Sequence, residues 1–290
     1  MDPQALLAQA DKKATTTGGF FTKVFGGSSF QLEEAADLYI QAANGFRLNK
    51  DQTAAGKAFE KAATVQKQTD LKDDAANTLV EAYKSYRQVD PEQAVRVLDE
   101  AIHLFTLRGQ FRRAANYQMD IGAVYENDLA DLAKAIKAYQ DAGDWYYNDQ
   151  AEALSNKAFL KVADLAALNG QYDMAIENFE RVAKQSLNSN LSKWSLKEYF
   201  VKATMCYLAE GDFVATSRAL DQYNEWDPSF GSTKEFQFLT DIAEAVKDGD
   251  EQAYTDKLWE YDRFNKLDKW KVSMGLKIKE QIQGAEDDLL

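Results

Sequence analysis

The sequence predicts an all-α protein made of stacked helical hairpins, and three observations point there. First, only three prolines occur in 290 residues, and the composition is rich in Ala, Glu, Lys and Gln, which favour helix over strand. Second, pairs of small residues recur at Ala35-Ala36, Ala54-Ala55, Ala75-Ala76, Ala94-Val95, Ala114-Ala115 and Ala135-Ile136, at steps of 19 to 21 residues. Each step fits one helix and a turn, so two steps make a hairpin of about 40 residues. Third, a glycine-led frame closes several of these units. It appears as Gly109-Gln110-Phe111-Arg112-Arg113, as Gly170-Gln171-Tyr172-Asp173-Met174-Ala175 and, more loosely, as Gly211-Asp212-Phe213-Val214-Ala215. The glycine takes the left-handed conformation that ends one helix, the aromatic two residues on packs back, and small residues let the next helix approach. Hairpins of this kind stack into a TPR-like twisted solenoid. The strict Trp-Leu-Gly-Tyr signature and proline of the tetratricopeptide consensus are missing, so the repeat is a divergent one.

Taken in order, residues 3–14 read as a short amphipathic helix with Leu6, Leu7 and Ala10 on one side. Residues 15–29 then place Phe20, Phe21, Val24 and Phe25 between two diglycines, apolar weight that a loop ordinarily avoids. Two readings stand side by side: a hydrophobic staple folded onto the first repeat, or an exposed loop that dips into a bilayer or a partner. Burying three Phe contributes about 5–9 kcal/mol, enough for reversible attachment but not for permanent anchoring. The repeats run to about residue 185, with breakers at Asp90-Pro91, Arg108-Gly109, Asn127-Asp128 and Asn169-Gly170. The polar stretch 186–192 opens a C-terminal helical bundle, 186–283, with helical patterns at Trp194–Ala209 and Gly211–Trp226 and a turn at Asp227–Gly231. Three aromatic-rich helices follow, at Lys234–Val246, Gln252–Phe264 and Leu267–Gln283, and an open stack needs such a cap. Residues 284–290 form an acidic tail ending Asp287-Asp288-Leu289-Leu290.

The net charge of −13 argues against a bulk nucleic-acid binder. One cysteine, Cys206, and one histidine, His103, make neither a disulfide nor a zinc site; both read as ordinary helix residues. The start Met1-Asp2-Pro3 has no signal-peptide pattern and no apolar run reaches 18 residues, so a cytosolic location is expected. Phosphate-binding glycine motifs, a nucleophile elbow and a catalytic triad are all missing, so no catalytic residue, cofactor or metal is expected. Basic residues are outnumbered, which makes their clustering informative. Lys157 and Lys161 are spaced i, i+4 on one helix face, and Arg108, Arg112 and Arg113 surround the Gly109 turn. Stacked in register, they would form a positive stripe suited to a long acidic partner; paired with neighbouring acids, they would be an ordinary solvated face.

The Phe-Phe-x-x-Val-Phe-Gly-Gly-Ser-Ser loop, the hairpin repeats, Leu267-Asp268-Lys269-Trp270 and the Glu-Asp-Asp-Leu-Leu ending resemble the alpha-SNAP family of soluble NSF attachment proteins. The likeness runs from about Leu6 to Leu290 and is strongest to fungal members, through Arg108–Arg113 and the final Leu289-Leu290. The resemblance implies an adaptor, peripherally associated with membranes. Such proteins bind the four-helix SNARE bundle left after membrane fusion and recruit and stimulate the hexameric ATPase NSF, which takes the bundle apart. It implies a membrane loop at Phe20, Phe21, Val24 and Phe25, and SNARE contacts at Lys157, Lys161, Arg108, Arg112 and Arg113. Asn116 falls where animal members carry a SNARE-contacting lysine. For the ATPase end it implies Glu244, Asp248, Asp287, Asp288 and Leu290, with Leu289 as the stimulating residue and Lys247 standing where animal members have an acid. A second reading from another functional class is a TPR-like co-chaperone or peptide-binding scaffold, which would need a carboxylate clamp. A helical-repeat enzyme subunit would need a catalytic cluster.

Overall fold

The computed structural model describes residues 2–15, 27–69, 72–187 and 193–287. Among these residues there are fourteen α-helices and no strand. They are α1 Pro3–Thr15, α2 Gly27–Leu48, α3 Gln52–Gln66, α4 Lys72–Tyr86, α5 Pro91–Leu107, α6 Phe111–Asn127, α7 Leu132–Asn148, α8 Glu152–Leu168, α9 Tyr172–Ser186, α10 Lys193–Glu210, α11 Phe213–Trp226, α12 Lys234–Lys247, α13 Glu251–Phe264 and α14 Lys269–Asp287. A 3-10 turn, Phe230–Ser232, lies between α11 and α12. The chain divides into two compact units, Met1–Glu152 and Ala153–Leu290.

The helices start and stop for local reasons. Asp51, Asp90 and Asp131 in the first unit, and Asp212, Thr233 and Asp250 in the second, are N-caps whose side-chain oxygens accept from the backbone N–H three residues on. Gly109, Gly170, Gly211 and Gly249 take positive φ of 68°, 76°, 82° and 69°, the left-handed exit expected of the first three. Lys50, Ala130 and Gln150 adopt the same conformation without being glycine. The turn frame is therefore a repeated left-handed residue, at 109, 130, 150 and 170, and glycine fills only some of its positions. The aromatic after it does not always fold back: Phe111 is 46 % exposed, because the next turn of α6 fills the interface with Ala114 and Ala115 instead.

In the first unit, consecutive helices are antiparallel neighbours, and alanines at the pair positions are fully buried: Ala35, Ala55, Ala75, Ala94, Ala114 and Ala135. Where two helices come closest, a glycine receives a tyrosine ring. A Cβ on Gly56 would lie 2.5 Å from Tyr86, and one on Gly122 2.6 Å from Tyr139. Each tyrosine then donates its hydroxyl four residues beyond the glycine: Tyr86 to Glu60 Oε1 at 2.7 Å and Tyr139 to Glu126 Oε2 at 2.6 Å. Polar side chains also tie α2, α3 and α4 each to the helix two places on. Arg47 of α2 donates to Glu81 of α4 at 3.0 Å, Arg96 of α5 to Glu60 of α3, and Arg113 of α6 to Asn77 of α4 at 2.7 Å.

The second unit is organised on α10, which contacts α9, α11, α12 and α14. Phe200 of α10 stacks on Tyr223 at 4.4 Å and meets Phe230 edge-on at 4.9 Å. Cys206 is a buried free thiol in this helix, and burial raises its pKa far above the usual range. His103 is exposed on α5. The last helix runs on through Gly284 to Asp287, the first four residues of the expected tail. No helix among the described residues is long and apolar enough to cross a membrane.

Candidate functional site

Arg108, Arg112 and Arg113 belong to the first unit, and Lys157 and Lys161 to the second. All three arginines are exposed, but they are engaged differently. Arg112 Nε donates to Asp149 Oδ2 at 2.5 Å. Arg113 is committed inward: it donates to Asn77 Oδ1 at 2.7 Å and Gln110 Oε1 at 3.0 Å, and its guanidinium lies 4.2 Å from the Phe105 ring centre. Arg112 is thus paired with an acid of the next hairpin, and Arg113 with two neutral amides and a ring. Sequence spacing alone did not expose Asp149, which lies 37 residues away on the next hairpin. Asn116 accepts the Tyr146 hydroxyl at 2.6 Å, so this side chain works inside the hairpin.

Lys157 and Lys161 lie one turn apart on α8. Lys157 is exposed and carries no ion pair among the described residues, whereas Lys161 is half-buried beside Asp164. Asp164 is the anchor of this helix. Lys202 Nζ donates to its Oδ1 at 2.7 Å while lying 4.8 Å from the Trp270 ring centre. Trp270 Nε1 donates to the Asp164 backbone oxygen at 3.0 Å and meets Phe179 edge-on at 5.8 Å. Burial pushes the Asp164 carboxyl above the usual range, and the Lys202 ammonium only partly offsets it. Next to it, Lys271 is buried and bonds Glu198 at 2.6 Å and Asp268 at 3.5 Å. The Leu267-Asp268-Lys269-Trp270 stretch is thereby a lock that holds α14 onto α8 and α10.

At the other end of α14, Glu244 on the last turn of α12 and Asp248, which caps that helix, are exposed. Glu244 lines a cleft between α11 and α12 with Phe213, Leu220, Thr240 and Lys247. Glu251, just past the Gly249 turn, accepts from Lys279 at 2.9 Å and Gln283 at 2.9 Å, and these bonds hold its carboxyl below the usual range. The acidic turn 244–251 and the end of α14 that carries Asp287 are therefore brought together. Glu251 is a residue that sequence reasoning missed. Phe20, Phe21, Val24 and Phe25, like Asp288, Leu289 and Leu290, lie outside the described residues. Among the described residues no group of His, Cys, Asp or Glu is placed to hold a metal ion.

The family model described as soluble NSF attachment protein, SNAP, matches residues 1–283. The chain belongs to that family. A sec17 homolog of Schizosaccharomyces pombe is 54 % identical over 288 residues, 99 % of both chains. The alpha-soluble NSF attachment protein of Saccharomyces cerevisiae is 47 % identical across 100 % of this chain and 99 % of its own. The human protein of the same name is 38 % identical across 99 % and 97 %. Family membership and the stronger likeness to fungal members are both borne out. The all-α hairpin architecture of this SNAP chain is likewise the one expected.

Proposed function

We propose that this chain is the adaptor that binds SNARE complexes and recruits and stimulates the NSF-type ATPase that disassembles them after membrane fusion. The observation that carries the reading is the family match over residues 1–283, joined by full-length relatives named as vesicular-fusion and NSF attachment proteins. In this reading the ATPase performs the nucleotide chemistry, and this chain supplies binding surfaces. Individual contacts are weak, and several copies, one membrane and a multivalent ATPase hold the assembly by avidity.

Residues 1–185 are assigned to the SNARE bundle, 186–283 to the ATPase, and the tail 284–290 to activation. Lys157 and Lys161 carry the main SNARE contact, with Lys157 supplying an exposed cation that has no ion pair among the described residues. Arg108 and Arg112 add to it, and Arg113 acts more by holding the Gly109 turn in place. Glu244 and Asp248 offer an acidic surface to a basic one on the ATPase, and Leu289 fills an apolar pocket there, steered by Asp287 and Asp288 and flanked by Leu290. Phe20, Phe21, Val24 and Phe25 attach the cytoplasmic protein reversibly to the membrane surface. The net charge of −13 supports protein partners rather than nucleic acid.

Binding to a soluble four-helix SNARE bundle tests the reading. Lys157→Glu with Lys161→Glu is expected to abolish binding at physiological salt while circular dichroism stays unchanged. Undiminished binding by the double variant overturns the assignment of α8, and no binding by the unmodified chain overturns the adaptor reading.

A further inference from the structure

In the second unit, α12 and α13 pack through the rings of Phe238 and Tyr261, which are stacked with their centres 4.0 Å apart. The contacts Lys234–Phe264 and Asp241–Lys257 lie on either side of that stack, so the two helices are antiparallel. Both stacked rings are buried, yet the surface over them is not closed. A cleft of about 220 Å³ opens there, with Lys234 and Phe264 at one end and Asp241 and Lys257 at the other. Its floor is aromatic, and Phe264 at its rim is 69 % exposed.

The two ends differ in charge. Lys257 bonds Asp241 at 3.1 Å and Glu260 at 3.4 Å, and Gln237 donates to Asp241 at 2.6 Å, so both rim carboxylates are satisfied within the protein. Lys234 is exposed, and its ammonium lies 4.3 Å from the centre of the Phe264 ring without a carboxylate partner among the described residues. The neighbouring acid, Glu235, accepts from Lys197 at 3.0 Å instead. A ring holds the ammonium in place but does not neutralise it. The cleft therefore presents one uncompensated positive charge beside an apolar floor, on a chain of net charge −13.

We infer that the α12–α13 cleft is a docking site for an acidic peptide segment, which lays one Phe or Leu side chain over Phe238 and Tyr261 and sets a carboxylate against Lys234. Size limits the occupant: the cleft is smaller than the roughly 300–1,000 Å³ of sites that enclose a cofactor, and it has room for a single large side chain. Charge complementarity makes the partner acidic. A bilayer fits less well, because the apolar floor is recessed and the carboxylates of Asp241 and Glu260 stand on the rim. The site lies at the Lys234 end of α12, about 15–20 Å along the helix from Glu244 and Asp248. It is thus separate from the acidic surface assigned to the ATPase, and it takes a partner of the opposite charge. The inference stands independently of the adaptor reading.

The test is fluorescence polarisation of the full chain with a fluorescein-labelled peptide, Ser-Asp-Phe-Glu-Ser. Weak but saturable binding is expected, with slower hydrogen exchange in residues 234–241 and 257–264. Lys234→Glu, which turns attraction into repulsion, is expected to weaken it about tenfold. Phe264→Ala removes an exposed wall of the cleft and is expected to weaken it about threefold. Both positions are exposed, so circular dichroism is expected to stay unchanged. A peptide with Ala in place of Phe is expected not to bind, and Glu244→Lys is expected to leave binding intact. No saturable binding by the unmodified chain overturns the inference. Binding that Lys234→Glu and Phe264→Ala leave unchanged overturns the assignment to this cleft. Flotation with vesicles of phosphatidylcholine and phosphatidylserine separates the lipid alternative: partition lost in Lys234→Glu, with no peptide bound, assigns the patch to a membrane and overturns the peptide reading.

Discussion

Trp270 donates its indole N–H to the backbone oxygen of Asp164, 106 residues earlier, at 3.0 Å. The same aspartate receives Lys202, whose ammonium lies 5.7 Å from the ring centre of Phe179 and 4.8 Å from that of Trp270. One residue therefore holds the start of α14 against α8, the helix of Lys157 and Lys161.

Removing this lock loosens the last helix. Trp270→Phe keeps a ring but loses the hydrogen bond, and is expected to cost about 1 kcal/mol in urea unfolding. Trp270→Ala is expected to cost about 3–5 kcal/mol. Faster hydrogen exchange concentrated in residues 269–287 is the accompanying sign. Equal stability of Trp270→Ala and the unmodified chain contradicts the lock.

The lock also shows what the sequence could and could not disclose. The helices and the left-handed glycines at 109, 170 and 211 were legible because they depend on local spacing and on conformations that glycine favours. The left-handed conformation of Lys50, Ala130 and Gln150 was not, since non-glycine residues hold it only under the pull of their neighbours. Leu267–Trp270 was legible as a family stretch but not as a clasp, because Asp164 lies in a distant repeat. The arginine cluster was visible, yet its division into an inward Arg113 and an Asp149-paired Arg112 depends on helices 36 and 37 residues away.

Close approach at glycine gives a second prediction. Gly56→Ala drives a methyl group into the Tyr86 ring and Gly122→Ala into Tyr139, since the new Cβ atoms would lie 2.5 and 2.6 Å from ring carbons. Each is expected to lower stability by about 1–3 kcal/mol despite the better helix propensity of alanine. Differential scanning calorimetry reads this as a lower Tm. A higher Tm contradicts the packing described.

Alkaline pH provides a third. Burial first, and then the hydrogen bond to a carboxylate, raises the hydroxyl pKa of Tyr39, Tyr86 and Tyr139 well above the ordinary value near 10. The folded state therefore favours the neutral phenol. This contribution is complete below about pH 10 and is lost as pH climbs through the folded-state values. Urea midpoints are expected to hold from about pH 8 to 9 and fall steeply above 10. Tyr86→Phe with Tyr139→Phe lowers the midpoint at neutral pH, by about 1 kcal/mol for each lost bond, and makes the alkaline decline shallower. An unchanged slope contradicts the assignment.

The acidic turn 244–251 and the end of α14 are held together through Glu251, which bonds Lys279 and Gln283. The measurement closest to the central claim is ATP hydrolysis by the NSF-type ATPase with SNARE complex present, comparing this chain with Leu289→Ala. The adaptor account predicts strong stimulation by the unmodified chain, and its loss in the variant with SNARE binding retained. No stimulation by the unmodified chain contradicts the account.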